Sequence, residues 1–148
     1  MFYEIDEVSG TVASVEYIRG DTILSAEYNM IKVDITNAPT LDVLGWAVAG
    51  SHRFNDLFEL GMYYSVYISD VDDANGKDWE RDGFGSRHER YINDACLSTR
   101  FDITDGWIFK LEGHLMRGMN EVVPAKDDDP GENDPTWYLF AAKLGYNF

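Results

Sequence analysis

The sequence predicts an all-β chain of antiparallel strands in up-and-down order, and three observations carry that prediction. Apolar and polar side chains alternate in runs of about ten residues, the period of a strand and the length a tilted membrane-crossing strand needs. The connections between those runs alternate short and long. Aromatic residues reach 14%, with nine Tyr, eight Phe and four Trp, and so many rings need an apolar surface to occupy.

The runs follow one another along the chain. The first, Thr11 to Ile18, presents Ala13, Val15 and Tyr17 on one face. In the second, Leu24, Ala26, Tyr28 and Met30 share a face, against Ser25, Glu27 and Asn29. The third sets Trp46, Val48, Gly50, His52 and Phe54 against Ala47, Ala49, Ser51 and Arg53. The fourth, Phe58 to Ile68, is the clearest: Phe58, Leu60, Met62, Tyr64, Val66 and Ile68 oppose Glu59, Gly61, Tyr63, Ser65 and Tyr67. The fifth sets Ala95, Leu97, Thr99, Phe101 and Ile103 against Asp94, Cys96, Ser98, Arg100 and Asp102. The sixth places Trp107, Phe109, Leu111, Gly113 and Leu115 opposite Lys110, Glu112, His114 and Met116. The last runs from Trp137 to Phe148. Between Ile31 and Ile35 the pattern changes phase, as in a strand leaving an apolar layer through a bulge.

Three connections are tight: Arg19-Gly20, Asn55-Asp56-Leu57 and Thr104-Asp105-Gly106, the last suited to a type I turn with Gly in the left-handed region. The others are long and polar, over 32–43, 70–90 and 120–136. Short turns at one end and long loops at the other are the form of an outer-membrane barrel. Parity then sets the register. With Ile103 opposite Trp107, Arg100 meets Lys110, Ser98 meets Glu112 and Cys96 meets His114; with Phe54 opposite Phe58, Arg53 meets Glu59 and Ala49 meets Tyr63. Charge collects on one face and is nearly absent from the other. The expected architecture is an antiparallel up-and-down transmembrane β-barrel, about seven or eight strands of it in this chain, with residues 1–148 forming one segment.

A formal charge of −15 supplies no basic face to neutralise phosphates and argues against nucleic-acid binding. The single cysteine, Cys96, excludes an internal disulfide. No run approaches the roughly 18 apolar residues of a transmembrane helix. The mean hydropathy of −0.33 fits a barrel whose two faces average out. Met1 to Glu7 has neither the basic nor the apolar region of an export signal, so the expectation is part of a longer exported chain.

Phe148 is the final residue, and Tyr146, Leu144, Ala142, Phe140 and Tyr138 precede it by twos. This resembles the terminal strand of bacterial outer-membrane barrels. The resemblance makes Phe140, Leu144, Tyr146 and Phe148 a signal read by the barrel-assembly machinery. The stretches from Gly50 to Ser65 and from Arg100 to His114 are similar to the last hairpins of Gram-negative porins, especially those grouped with phosphate-selective porins. The similarity runs over residues 11–148. It implies a passive diffusion channel in the outer membrane, of about 16 strands when complete, trimeric and in contact with lipid and lipopolysaccharide. Phosphate selectivity does not carry over, because Arg53, Arg100, Lys110 and Lys143 are interleaved along the sequence with Glu27, Glu59 and Glu112.

The expected pore lining is Glu27, Arg53, Glu59, Tyr63, Arg100, Lys110, Glu112, His114 and Lys143; the same charges also suit an ion-pair network filling the interior. No cofactor is expected. The segment with Asp73, Asn75 and Asp78 has the offsets of a calcium loop, but Val71 stands at its first position and Asp82 at its last, so an acidic external loop is the expectation. His114 paired with Cys96 or Ser98 is the one nucleophile–base combination, and no nucleophile motif accompanies it, so no enzyme is expected. Two other barrels suit the pattern. With Phe2 to Glu7 as a short eighth strand the chain makes a small, filled, non-conducting outer-membrane barrel of adhesive or structural role. A soluble, lipocalin-like ligand-binding barrel requires the apolar face to point inward.

Overall fold

The computed structural model describes residues 5–36, 40–119 and 135–146. They form one sheet of seven antiparallel strands, each hydrogen-bonded to its neighbours in sequence. The strands are β1 (Ile5–Arg19), β2 (Thr22–Ile35), β3 (Leu41–Arg53), β4 (Phe58–Ile68), β5 (Tyr91–Asp102), β6 (Trp107–Gly118) and β7 (Thr136–Tyr146). Helix among the described residues is confined to the β4–β5 connection, as α1 (Lys77–Arg81) and a 3-10 turn (Arg87–Arg90). The all-β, up-and-down order is thus the one the alternation requires. Among the described residues β1 and β7 are the edges, each bonded on one side only, and both run from the long-loop end to the short-turn end.

The tight turns use local chemistry. At β1–β2 the connection is Gly20-Asp21, one residue later than expected, and Gly20 takes φ 56, a conformation that costs glycine least. At β3–β4 the Asn55 side-chain oxygen accepts from the N–H groups of Leu57 and Phe58, both at 2.9 Å, an Asx turn. At β5–β6 the left-handed Gly106 is not found; Thr104 Oγ1 accepts instead from the N–H groups of Gly106 at 3.4 Å and Trp107 at 3.2 Å. The Thr104 hydroxyl thus closes the turn with Gly106 outside the left-handed region.

Four expectations about boundaries and register are corrected. The connection expected over 32–43 shrinks, because β2 continues to Ile35 and β3 begins at Leu41, with Lys32 opposite Asp42 and Val33 opposite Leu41. The Lys32–Asp42 ion pair, 3.1 Å, joins the strands there. No bulge occurs between Ile31 and Ile35 in that pairing; the register shift lies on β1, between Ile5 and Glu7. What changes past Met30 is the chemistry of the faces, since Lys32 and Asp34 continue the side that Leu24, Ala26 and Tyr28 occupy lower down. Residues 5–7 open β1, so Phe2 to Glu7 is no separate eighth strand within the described part, and Phe2 to Glu4 lie outside it. β5 likewise begins at Tyr91, ahead of the expected Ala95.

Parity holds across the whole sheet. Rows of opposed residues such as Tyr28, Trp46, Val66, Asn93 and Arg117 keep one side through successive strand pairs. One side is apolar and open: Met62 is 59% exposed, Leu97 53% and Phe140 81%. The other side shelters polar groups, with Asp94 9% and Cys96 5% exposed.

Candidate functional site

The polar side of β3–β7 carries the chemistry. Alternation sends Arg53 (β3), Glu59 (β4), Arg100 (β5), Lys110 (β6) and Lys143 (β7) to this side, and the in-register pairings bring them into one lateral row: Arg53 opposite Glu59, Glu59 opposite Arg100, Arg100 opposite Lys110, and Lys110 opposite Lys143. Interleaving along the sequence survives in space only at Glu59, between Arg53 and Arg100. Glu112 sits in the next row, opposite Ser98, and Glu27 stands apart on β2 between Ser14 and Ala47. Arg53 bridges Glu59 at 3.3 Å and Asp102 at 2.8 Å, and Arg100 Nε reaches Asp102 at 2.8 Å. Arg100 lies diagonal to Glu112 in register, but its ion partner is Asp102. Lys110 and Lys143 have no acidic partner among the described residues. Like charges set directly opposite one another repel, so Lys110 and Lys143 make a short positive strip beside the ion-paired Arg100 and one row from Glu112.

Two rows toward the long loops lies a second cluster. Tyr63 donates to Asp94 at 2.5 Å, and His114 Nδ1 stands 3.1 Å from both oxygens of Asp94. Cys96 Sγ is 3.8 Å from His114 Nε2. A proton on Nδ1 satisfies Asp94 and turns Nε2 toward the thiol. The register pairs Ala49 with Tyr63 and Cys96 with His114, as parity requires. The cluster has the order nucleophile, base and orienting acid, yet the backbone N–H groups around it belong to the ladder, leaving no donor pair for an oxyanion. Its hydrogen bonds satisfy polar groups sheltered on this face. Asp94 and Asp102 are the two members that the charge pattern did not single out. Their signal was the same-face spacing Asp94/Cys96 and Arg100/Asp102.

The apolar side is bordered at the short-turn end by rings in contact. Phe54 and Phe58 lie 5.7 Å apart, Phe58 and Phe101 5.2 Å, Phe101 and Phe109 6.4 Å, and Trp107 and Tyr146 4.9 Å. His52 packs edge-on against Phe54 at 4.6 Å, on the side expected of it. Tyr28 and Trp46 lie opposite one another toward the loop end, and Trp46 is 5.6 Å from Tyr64. Along β4 the band from Phe58 to Val66 carries no charge. Phe140, Leu144 and Tyr146 of the terminal strand share this side, while Phe148 lies outside the described residues.

The β4–β5 connection folds as a cap at the loop end. Asp73 accepts from the N–H groups of Asp78 at 3.1 Å and Trp79 at 2.8 Å, Asn75 accepts from Lys77 at 3.2 Å, and Asp78 pairs with Arg81 at 2.6 Å. The three calcium-loop candidates thus spend oxygens on α1 and its arginine, and among the described residues no group of three or more His, Cys, Asp or Glu converges on one point. Burial opposes ionisation of Asp73, but the N–H groups of Trp79, Asp78 and Lys77 and the charge of Arg90 outweigh it and hold the carboxyl below its ordinary value. A depressed folded-state value stabilises the cap above the ordinary aspartate range, and that contribution is lost as pH falls through the depressed value. Asp73→Ala is expected to weaken the cap by about 1 kcal/mol, read as faster amide exchange at Asp78 and Trp79. Acidifying the unsubstituted chain through the depressed value should produce the same loosening.

No helix among the described residues is long and apolar enough to cross a membrane, a finding that bears on helices alone. Comparison with protein-family models, curated proteins and solved structures gives no match to this chain.

Proposed function

We propose that this sheet is part of the wall of an outer-membrane β-barrel, with lipid against the ring-rich side and water against the charged side, and that the barrel is a passive channel for small hydrophilic solutes or ions. One observation carries the reading: on the central strands β4–β6 the exposed side chains, short of Arg117 at a strand end, all lie on the uncharged side. The uncharged run from Phe58 to Val66 spans about 27 Å at about 3.4 Å per residue. A tilt of roughly 40° reduces that to about 21 Å, near the hydrocarbon band of about 25 Å that such barrels present. The charged outliers on this side, including Arg19, Lys32, Asp34, Asp42 and Arg117, stand at the ends of the strands.

The protein carrying this sheet is expected to insert into planar bilayers and conduct. Lys110→Glu, in the middle of the Arg100–Lys110–Lys143 strip, is expected to lower the anion-to-cation permeability ratio by at least about twofold, read from the reversal potential in a salt gradient. An unchanged ratio in a conducting variant would remove this strip from the pore wall. Protein that stays folded and monodisperse in buffer without detergent would overturn the membrane reading.

One observation favours a second reading. On β1 and β2 the lumen side carries Val8, Val12, Ile18, Ile23 and Ile31, side chains suited to a packed interior. A narrow barrel filled by side chains would insert without conducting, so the same recording separates the two.

A further inference from the structure

A cleft of about 330 Å³ lies where the cap meets the outer side of β4–β6. Val66, Ile68 and Tyr91 form its wall, and Arg87, His88 and Arg117 rim it. Val66, Asn93 and Arg117 are one lateral row, continuous with Tyr28 and Trp46, and Ile68 opposes Tyr91 just beyond. The cleft therefore belongs to the lipid-facing side, at the height of the loop-end rings.

The arginines at this end divide sharply. Arg81 pairs with Asp78 and Asp82, while Arg90 reaches Asp70 at 3.5 Å and stacks over Trp79 at 4.6 Å. Arg87 and Arg117 have no acidic partner among the described residues, although the chain carries a net charge of −15. Five acids of the cap, Asp70, Asp72, Asp73, Asp78 and Asp82, line a separate cavity together with Leu41, a residue of the opposite side. Those five acids thus line a cavity apart from Arg87 and Arg117, and of the acids on the outer side Asp42 is paired with Lys32.

The rim is held in place. Gly76 takes φ 66 and has the Arg87 carbonyl and Cα where a Cβ would stand, so only glycine lets the two segments meet. Ser86, 2% exposed, caps the 3-10 turn by accepting from the His88 N–H. His88 Nδ1 is 2.8 Å from Tyr91 Oη, and the His88 carbonyl accepts from the Met119 N–H at 2.8 Å.

From this placement we infer that the cleft binds the phosphate headgroup of a membrane amphiphile, with Arg87 and Arg117 on the phosphate and the acyl chains against Val66 and the apolar band below. The inference rests on the lipid-facing assignment under Proposed function. Guanidinium groups bind phosphate by paired, charge-assisted hydrogen bonds, and long side chains at the membrane boundary reach from an apolar wall to a polar headgroup. The two arginines supply the charge and the apolar wall supplies the demand for a chain.

The test is native mass spectrometry of the full chain in uncharged detergent, titrated with dimyristoyl phosphatidic acid, with dimyristoylglycerol (the same chains without the phosphate) and with inorganic phosphate. Insertion into phosphatidylcholine vesicles is measured in parallel. Phosphatidic acid is expected to bind at least about tenfold more tightly than dimyristoylglycerol, and the R87Q/R117Q double variant to lose that difference. Millimolar inorganic phosphate should leave lipid binding intact. A double variant that inserts and binds phosphatidic acid like its parent overturns this inference alone. Complete displacement by inorganic phosphate overturns the lipid assignment in favour of a free-anion site. A parent chain that fails to insert overturns the membrane reading, and this inference with it.

Discussion

Leu97→Arg is expected to cost about 2–4 kcal/mol in lipid, the range for a cation on the midplane of a barrel wall, while Ser65→Arg changes stability by no more than about 0.5 kcal/mol. Leu97 is 53% exposed and lies in the row of Met62, Gly113 and Phe140, midway along the uncharged band. An arginine there must be desolvated by hydrocarbon or drag its headgroup some way along the strand to reach water. Ser65 lies on the other side, opposite Ala47 and Asp94, where a cation meets water and an acid. Reversible unfolding by guanidinium in vesicles gives both values. Equal costs would mean that the two sides are wetted alike, and the reversed order would mean a water-soluble sheet with its core on the Leu97 side.

Asp94→Ala should cost about 2–3 kcal/mol, because it strands donors in place. The carboxylate accepts from Tyr63 and lies within reach of His114, and Asp94 and His114 side chains are each only 12% exposed. Truncation leaves the phenol and the ring without an acceptor on a sheltered face. Asp94→Asn keeps one oxygen where both partners reach it, and so should cost about 1 kcal/mol. A thermal or denaturant midpoint for the pair of variants separates the two cases. Equal losses for Ala and Asn would show that the charge of Asp94 matters more than its acceptor geometry.

The two sides and the register were legible in the sequence because both follow from backbone geometry. A strand turns successive side chains to opposite sides, and a short turn fixes which residues meet. Arg53 opposite Glu59 and Cys96 opposite His114 required only that the turns following Phe54 and Ile103 be tight; the same counting places Lys110 beside Lys143 once β7 is aligned. The positive strip is hidden along the chain, where Glu112 stands two residues from Lys110, and emerges only across it, where Glu112 falls in another row. Asp94 was legible only as a same-face neighbour of Cys96; its partners, Tyr63 and His114, are 31 and 20 residues away. The cap was least legible. A helix of five residues, Lys77–Arg81, is too short to show a period, and it depends on Asp73 oxygens that read equally well as calcium ligands.

The two unpaired edges point the same way along the strand axis, and simple counting follows from that. If β7 met β1 directly, in this chain or in an identically oriented neighbour, the new ladder would be parallel. Two copies could join β1 to β1 in antiparallel fashion only by turning one copy upside down, which would put long loops on both surfaces of the bilayer. Any tube built from this sheet by antiparallel ladders alone, with all long loops on one surface, therefore contains an odd number of additional strands between β7 and β1, and an even number in total.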